Sequence, residues 1–179
     1  MKRKADTFGL FLKQTEFKSD RIIVIEFQIS AGYLKEKKPE DTFIPSGQAQ
    51  RLFEKGMIKD GEKIGFCSLF VHPEQERILW DMFFPINRKL SHHGIGSIIQ
   101  AAIVARMKKR FPTFLIRSTR VTGKRLGQLG NHGINPKKEY PIKEYYQLTK
   151  GYLSRKFNEK RKSKMPWWKR AKKALRKIV

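Results

Sequence analysis

The sequence predicts one mixed domain of the α/β (α+β) class, a mostly antiparallel central sheet with flanking helices and one parallel strand pair. Three observations lead there. Residues 63–71 (KIGFCSLFV) and 77–85 (RILWDMFFP) are apolar and rich in aromatic and β-branched residues. Only HPEQE separates them, so they join as an antiparallel pair. Residues 77–121 then read strand, helix, strand, and a right-handed crossover makes those two strands parallel neighbours. The 179 residues, 39% of them hydrophobic, suffice for one real core and not for two large ones.

The remaining elements follow in chain order. Residues 1–20 are weakly patterned, with Phe8, Leu10, Phe11 and Phe17 as anchors. RIIVIEFQI, 21–29, is a strand whose unbroken apolar centre suits a buried position. AGYLKEKKPEDTFIP is a polar connection. Ser46 is an N-cap for GQAQRLFEKGMI, where Ala49, Leu52 and Phe53 share a face. Past Pro85 a basic loop leads to Gly94-Ile95-Gly96 and a helix carrying Ile98, Ile99, Ala101, Ala102, Ile103, Val104 and Met107, apolar enough for both faces to be covered. That helix ends in MKKRFP, with cations at the negative end of its dipole and Pro112 as a stop. TFLIRSTRV, 113–121, is the fourth strand. GKRLGQLGNHGINP is a short helix or loop at best, and KEYYQLTKGYL, 143–153, reads as a last strand.

Residues 1–154 form the domain, and 155–179 form a basic tail. The tail holds twelve basic residues against the single acid Glu159, a net of +11, leaving +13 for the body. On a helical wheel Trp167, Trp168, Ala171, Ala174, Leu175 and Ile178 fall on one arc and the cations on the other, after Pro166 in the first turn. This predicts a C-terminal basic amphipathic helix. Through 164–179 it suits an anionic membrane surface or phosphates; docking on its own domain or on a twin subunit of a homodimer is the plainer alternative.

The whole chain carries +24, which favours an acidic partner: nucleic acid, anionic lipid or an acidic carrier protein. No run reaches the ~18 apolar residues of a bilayer span, and the basic start MKRKADTFGLFLKQTEF has no apolar core or cleavage site of a secretory signal. Cys67 is the single cysteine, so no internal disulfide forms; within IGFCSLFV it reads as a buried, inert thiol. A cytoplasmic protein, peripheral on a membrane if the tail binds one, fits these features.

Residues 77–112 carry the chemistry. A strand, a glycine turn and a helix start present backbone N–H groups and the positive end of a helix dipole, which suits a phosphate. Gly94 and Gly96, with Ile95 between them, let the backbone approach such a group; the alternative is a plain tight turn. Arg88 and Lys89 precede the loop as further contacts. Asp81 is the single acid of its strand and the simplest group to move a proton; the bland alternative is an ion pair with Arg77 or Arg117. His92 and His93 flank the glycine loop and titrate in the range of a general base, or else simply touch phosphate. His132 reads as a turn residue. With His92 and His93 it makes no recognisable metal spacing, so no metal is expected. Together these features hint at group transfer from a phosphate-bearing donor.

The Gly94-Ile95-Gly96 pattern resembles the Gcn5-related N-acetyltransferase (GNAT) superfamily, whose Gly-x-Gly/Ala loop holds the pyrophosphate of acyl-coenzyme A; the position three residues ahead, basic or Gln there, is Ser91 here. A more specific likeness is to the RTX-toxin-activating lysine acyltransferases, a divergent branch of that fold. IGFCSLF resembles that family's strand with a small residue, Cys and Ser. ILWDMFFP is similar to its aromatic-Asp-x-x-x-Pro strand, which places Asp81 on its catalytic aspartate. ARMKKRFPTFLIRSTRV and GQLGNHGI resemble its basic helix end with the following strand and its later His-Gly turn. The likeness spans roughly residues 63–135. It implies a GNAT-like sheet with a splayed parallel strand pair and a dimer. It also implies fatty acylation: an acyl-phosphopantetheine donor, acyl carrier protein or coenzyme A, gives its acyl group to a client protein's lysine, with no tightly bound cofactor. The stretch TEFKSDRIIV has no histidine where that family keeps its second catalytic residue. Two functions of different class follow. One is a toxin-activating type of protein lysine acyltransferase; the other is a catalytically inactive GNAT-like protein that binds nucleic acid.

Overall fold

The computed structural model describes residues 7–85, 90, 93–119 and 129–163, with 81–85 and 157–163 described by their backbone alone. Seven strands form one sheet in the order β3-β1-β2-β4-β5-β6-β7. They are β1 (Phe8–Lys18), β2 (Ile23–Tyr33), β3 (Asp41–Pro45), β4 (Lys63–His72), β5 (Arg77–Pro85), β6 (Leu115–Ser118) and β7 (Tyr140–Pro141). All neighbours run antiparallel except β5 and β6, which are parallel. Helix α1 (Gly47–Glu54) follows β3, α2 (Ile95–Arg110) connects β5 to β6, and α3 (Ile142–Ser163) follows β7. The mixed, mostly antiparallel class expected from the sequence is the class observed, as are the β4–β5 pair and the β5-α2-β6 crossover. The C-terminal amphipathic helix expected over 164–179 lies outside the described residues.

Period-two patterning sets the two sheet faces. In β4 burial alternates: Cys67, Leu69 and Val71 are buried, while Phe66, Ser68, Phe70 and His72 are more open. Register carries the buried rows across the sheet, for example Leu12 beside Ile29 and Leu69 beside Ile25 and Trp80. Helices pack on this closed face. Phe53 of α1 stacks on Phe8 with ring centroids 4.5 Å apart. Arg106 of α2 donates to Gln14 at 2.7 Å and also bonds Thr42, and Arg110 grips Glu16. Ser46 caps α1 as expected, its hydroxyl accepting from the Ala49 N–H at 3.1 Å. Cys67 is buried, in keeping with an inert thiol.

Three local expectations are corrected. Residues 8–18, weakly patterned in sequence, form the eleven-residue strand β1. Within the polar connection, 41–45 form the edge strand β3, paired with β1. Residues 143–153, expected as a strand, lie within α3. Tyr145 and Tyr146 favoured β by residue type, yet the buried positions Ile142, Tyr145 and Thr149 recur every three or four residues, the helical period. The division expected between 154 and 155 falls inside this helix. No helix among the described residues is long and apolar enough to cross a membrane.

Candidate functional site

The candidate site lies at the carboxyl ends of the parallel strands β5 and β6, where their described pairing reaches Trp80 and Ser118. Their parallel register runs Arg77 to Leu115, Ile78 to Ile116, Leu79 to Arg117 and Trp80 to Ser118. The Thr119 N–H closes the ladder on the Trp80 carbonyl at 3.0 Å, with the Thr119 hydroxyl on the same oxygen at 3.3 Å. Beyond Trp80, β5 continues along β4: Met82 faces Ser68, Phe83 faces Cys67, Phe84 faces Phe66 and Pro85 faces Gly65. A crevice at the carboxyl ends of two parallel strands, opposite the start of the crossover helix, is a frequent ligand position in open sheets.

Asp81 occupies a distinctive backbone position there. The β4–β5 register shifts between Ser68 and Leu69, whose partners are Met82 and Trp80. Asp81 is the extra residue of that β-bulge, a device that bends a strand and re-aims its side chains. The bulge falls one residue past the last β5–β6 pair among the described residues. Arg77, a candidate partner for Asp81 in sequence, forms an ion pair with Glu139 at 3.1 Å. The Asp81 side chain lies outside the described residues, as do Arg88, Lys89 and His92 entirely.

The glycine loop opens α2. Gly94 is the N-cap, with φ 82° in the left-handed region that glycine adopts without a Cβ penalty. Its carbonyl accepts the first helical bond, from Ile98 at 3.2 Å, so the N–H groups of Ile95 and Gly96 have no acceptor within the helix. The Ile95 side chain is core, only 3% exposed, and it can serve a ligand through its backbone alone. Gly96 and His93 are half-buried at the same helix start.

Four residues that the sequence did not place in the site gather around that start. His132, fully buried, places Nε2 3.1 Å from the hydroxyl of Ser97 in the first turn of α2. Its ring lies against Tyr152 of α3, centroids 4.3 Å apart. Lys156, one turn on, donates from Nζ to the Tyr152 hydroxyl at 3.1 Å. The same Nζ lies 3.6 Å from where a Cβ on Gly94 would stand. A lysine ammonium thus sits over the positive end of α2, and both attract an anion. Beneath, Tyr145 of α3 accepts from Gln100 of α2 at 3.0 Å and lies 3.4 Å from Ser118, the last paired residue of β6. This buried polar chain fixes the relative positions of α2, α3 and the end of β6. His132 is therefore more than a turn residue, since it pins the 129–134 turn to α2. The signal for Tyr152 and Lys156 was present in the helical spacing of 142–156, obscured by the strand-like residue types of that segment.

Among the described residues no group of three or more His, Cys, Asp or Glu side chains is placed to hold a metal ion. Compared with known proteins, the chain matches no family model, no curated protein and no solved structure.

Proposed function

We propose that this chain is a protein lysine acyltransferase of the toxin-activating type on a GNAT-like fold. It takes an acyl group from an acyl-thioester donor, acyl carrier protein or acyl-coenzyme A, and passes it to a lysine amine of a client protein. One observation carries the reading: the described β5–β6 pairing reaches Trp80, immediately before the bulge at Asp81, and the helix that crosses between the two strands starts at a glycine cap that also holds Lys156. A phosphopantetheine arm lying in such a crevice puts its phosphate at Gly94, Ile95, Gly96 and Lys156 and its thioester near the bulge. Arg88, Lys89 and the +24 of the chain favour an acidic carrier, and they speed its approach at low salt.

In this scheme the lysine amine attacks the thioester carbonyl and forms the amide bond. The carbon–sulfur bond breaks, and the thiolate leaves. Asp81, or His92 or His93 beside the glycine loop in sequence, accepts the amine's proton, which then passes to the departing sulfur. The purified protein should release free thiol from an acyl-carrier thioester in the presence of a lysine peptide. Asp81→Ala should fall to the uncatalysed rate while keeping its circular dichroism spectrum. Equal rates for variant and parent remove Asp81 from the chemistry; no thiol release by the parent removes the reading. In that case the second reading, a catalytically inactive GNAT-like binder of nucleic acid, gains from the missing histidine ahead of the first long strand and from the +24.

A further inference from the structure

The open face of the sheet assembles a feature that no single strand shows. Register places Phe17, Val24, Phe70, Leu79 and Arg117 side by side in one row across β1, β2, β4, β5 and β6. Two rows away Lys13, Gln28 and Phe66 stand side by side, and Lys63 flanks Ser30 in the row beyond. Phe17 is 60% exposed and Phe66 44%, the two large hydrophobics that stand out on the surface of the described residues. Phe70 is half-buried between them, and Lys13, Lys63 and Arg117 are exposed. Glu26 sits half-buried in the intervening row.

Phe66 and Phe70 lie four residues apart on one strand, about 13 Å. Phe17 and Phe70 are two strand spacings apart, about 9.5 Å. The three residues thus share one sheet face over roughly 13 Å by 10 Å, edged by cations, on a chain of net +24. Phe17 and Phe66 each leave a large part of their surface in water, which is unfavourable, and an apolar partner surface would cover that part. Such a partner would have no use for the cations at the edges. Aromatic rings spaced on an open sheet, with cations around them, suit one chemistry: bases stacked on the rings and a phosphate backbone held by Lys and Arg.

We propose that this face binds single-stranded nucleic acid, with bases stacking on Phe17, Phe66 and Phe70 and phosphates meeting Lys13, Lys63 and Arg117. The face lies on the side of the sheet away from the packed helices, so this binding does not rest on acyl transfer.

The test uses the full chain and labelled 15-nucleotide oligo(dT) and oligo(rU), read by fluorescence anisotropy. Either strand should bind more tightly than a duplex of equal length, because paired bases cannot reach the rings. Phe66→Ala and Phe17→Ala alter exposed side chains and should leave the fold intact. Each should weaken single-strand binding about five-fold or more, the loss of one stacked base, while keeping the salt dependence. The double variant Lys13→Ala/Lys63→Ala should instead flatten the dependence of log affinity on log salt by about 1.4, two lost phosphate contacts. Phe66→Trp should bind as the parent does, and Phe66→Leu should not. Duplex binding equal to single-strand binding, unchanged affinity in the Phe→Ala variants, or full binding by Phe66→Leu each overturns the proposal. Charge alone or general apolar docking would then account for the contact.

Discussion

His132 Nε2 lies 3.1 Å from Ser97 Oγ, and neither residue is more than 5% exposed. The pair joins a turn late in the chain to the first turn of α2, and the Tyr152 ring packed on His132 extends the join to α3. His132→Ala should therefore cost about 2–4 kcal/mol, a lost buried hydrogen bond together with a ring-sized cavity. His132→Phe keeps a ring against Tyr152 and should cost about 1–2 kcal/mol. Urea unfolding of the two variants measures both values. An alanine variant as stable as the parent would mean that this join holds nothing.

The Arg110–Glu16 pair ties the end of α2 to β1 and gives stability a direction in pH. The guanidinium donates to both carboxylate oxygens, at 2.6 and 2.8 Å. The hydrogen bond from Arg110 is the main cause holding the Glu16 carboxyl below the usual carboxylate range. Desolvation opposes it, and the charges of Arg110 and Lys18 add to it. A carboxyl with a lowered folded pKa binds fewer protons folded than unfolded. Its contribution is fully present above the ordinary Glu range and disappears as pH falls through the lower folded value. The pair is partly exposed, so solvent limits that contribution to about 1 kcal/mol or less. Glu16→Gln should remove this share of the acid-side decline in urea midpoint and leave the rest of the profile in place. A parent and variant with parallel profiles below pH 5 would contradict it.

Local connections explain what was legible in the sequence. β4, β5, α2 and β6 could be read because each is joined to the next by a short turn or by one crossover, so spacing alone fixes the pairing. β1 was hidden because Phe8 to Leu12 are all buried, without alternation, while Lys13 to Lys18 are polar apart from Phe17, which is itself exposed. A five-residue apolar run followed by a mixed one matches neither period, and β1 exists because β2 and β3 pair with it on both sides. In the site, Gly94 was legible because a positive φ at a helix cap has a sequence signature. Ser97, His132, Tyr152 and Lys156 were not. Each is an ordinary residue locally, and the fold of α3 against α2 is what brings them together.

Glycines at two other positions separate packing from backbone freedom. A Cβ on Gly9 would lie 2.3 Å from the Ile44 carbonyl oxygen and 2.7 Å from the Phe43 ring, across the β1–β3 ladder. Backbone on the neighbouring strand cannot yield cheaply, so Gly9→Ala should destabilise by about 2 kcal/mol or more. Gly47, the first residue of α1, meets nothing within 4 Å. Gly47→Ala should stabilise by about 0.4–1 kcal/mol by restricting the unfolded chain. Thermal melts of the two variants should move in opposite directions; a shift of the same sign in both would count against the described β1–β3 contact.

Lys156 offers the sharpest test of how the crevice uses charge. On a chain of +24, removing one cation changes the long-range field little. An effect of Lys156→Met on donor binding must therefore be local, arising where Nζ lies over Gly94 and the start of α2. A charge-assisted contact to a phosphate of about 1.5–3 kcal/mol corresponds to roughly a ten-fold or larger rise in KM for the acyl-thioester donor. kcat should change little, because the phosphate is bound equally in ground and transition states. Lys150→Met removes an exposed cation of the same helix and serves as the control for net charge, since Lys150 lies over Tyr146 rather than at the α2 start. Equal KM values for the two variants would move the anion away from Gly94. A selective rise for Lys156→Met, with an unchanged melting temperature, would assign the helix start and the ammonium to one shared ligand.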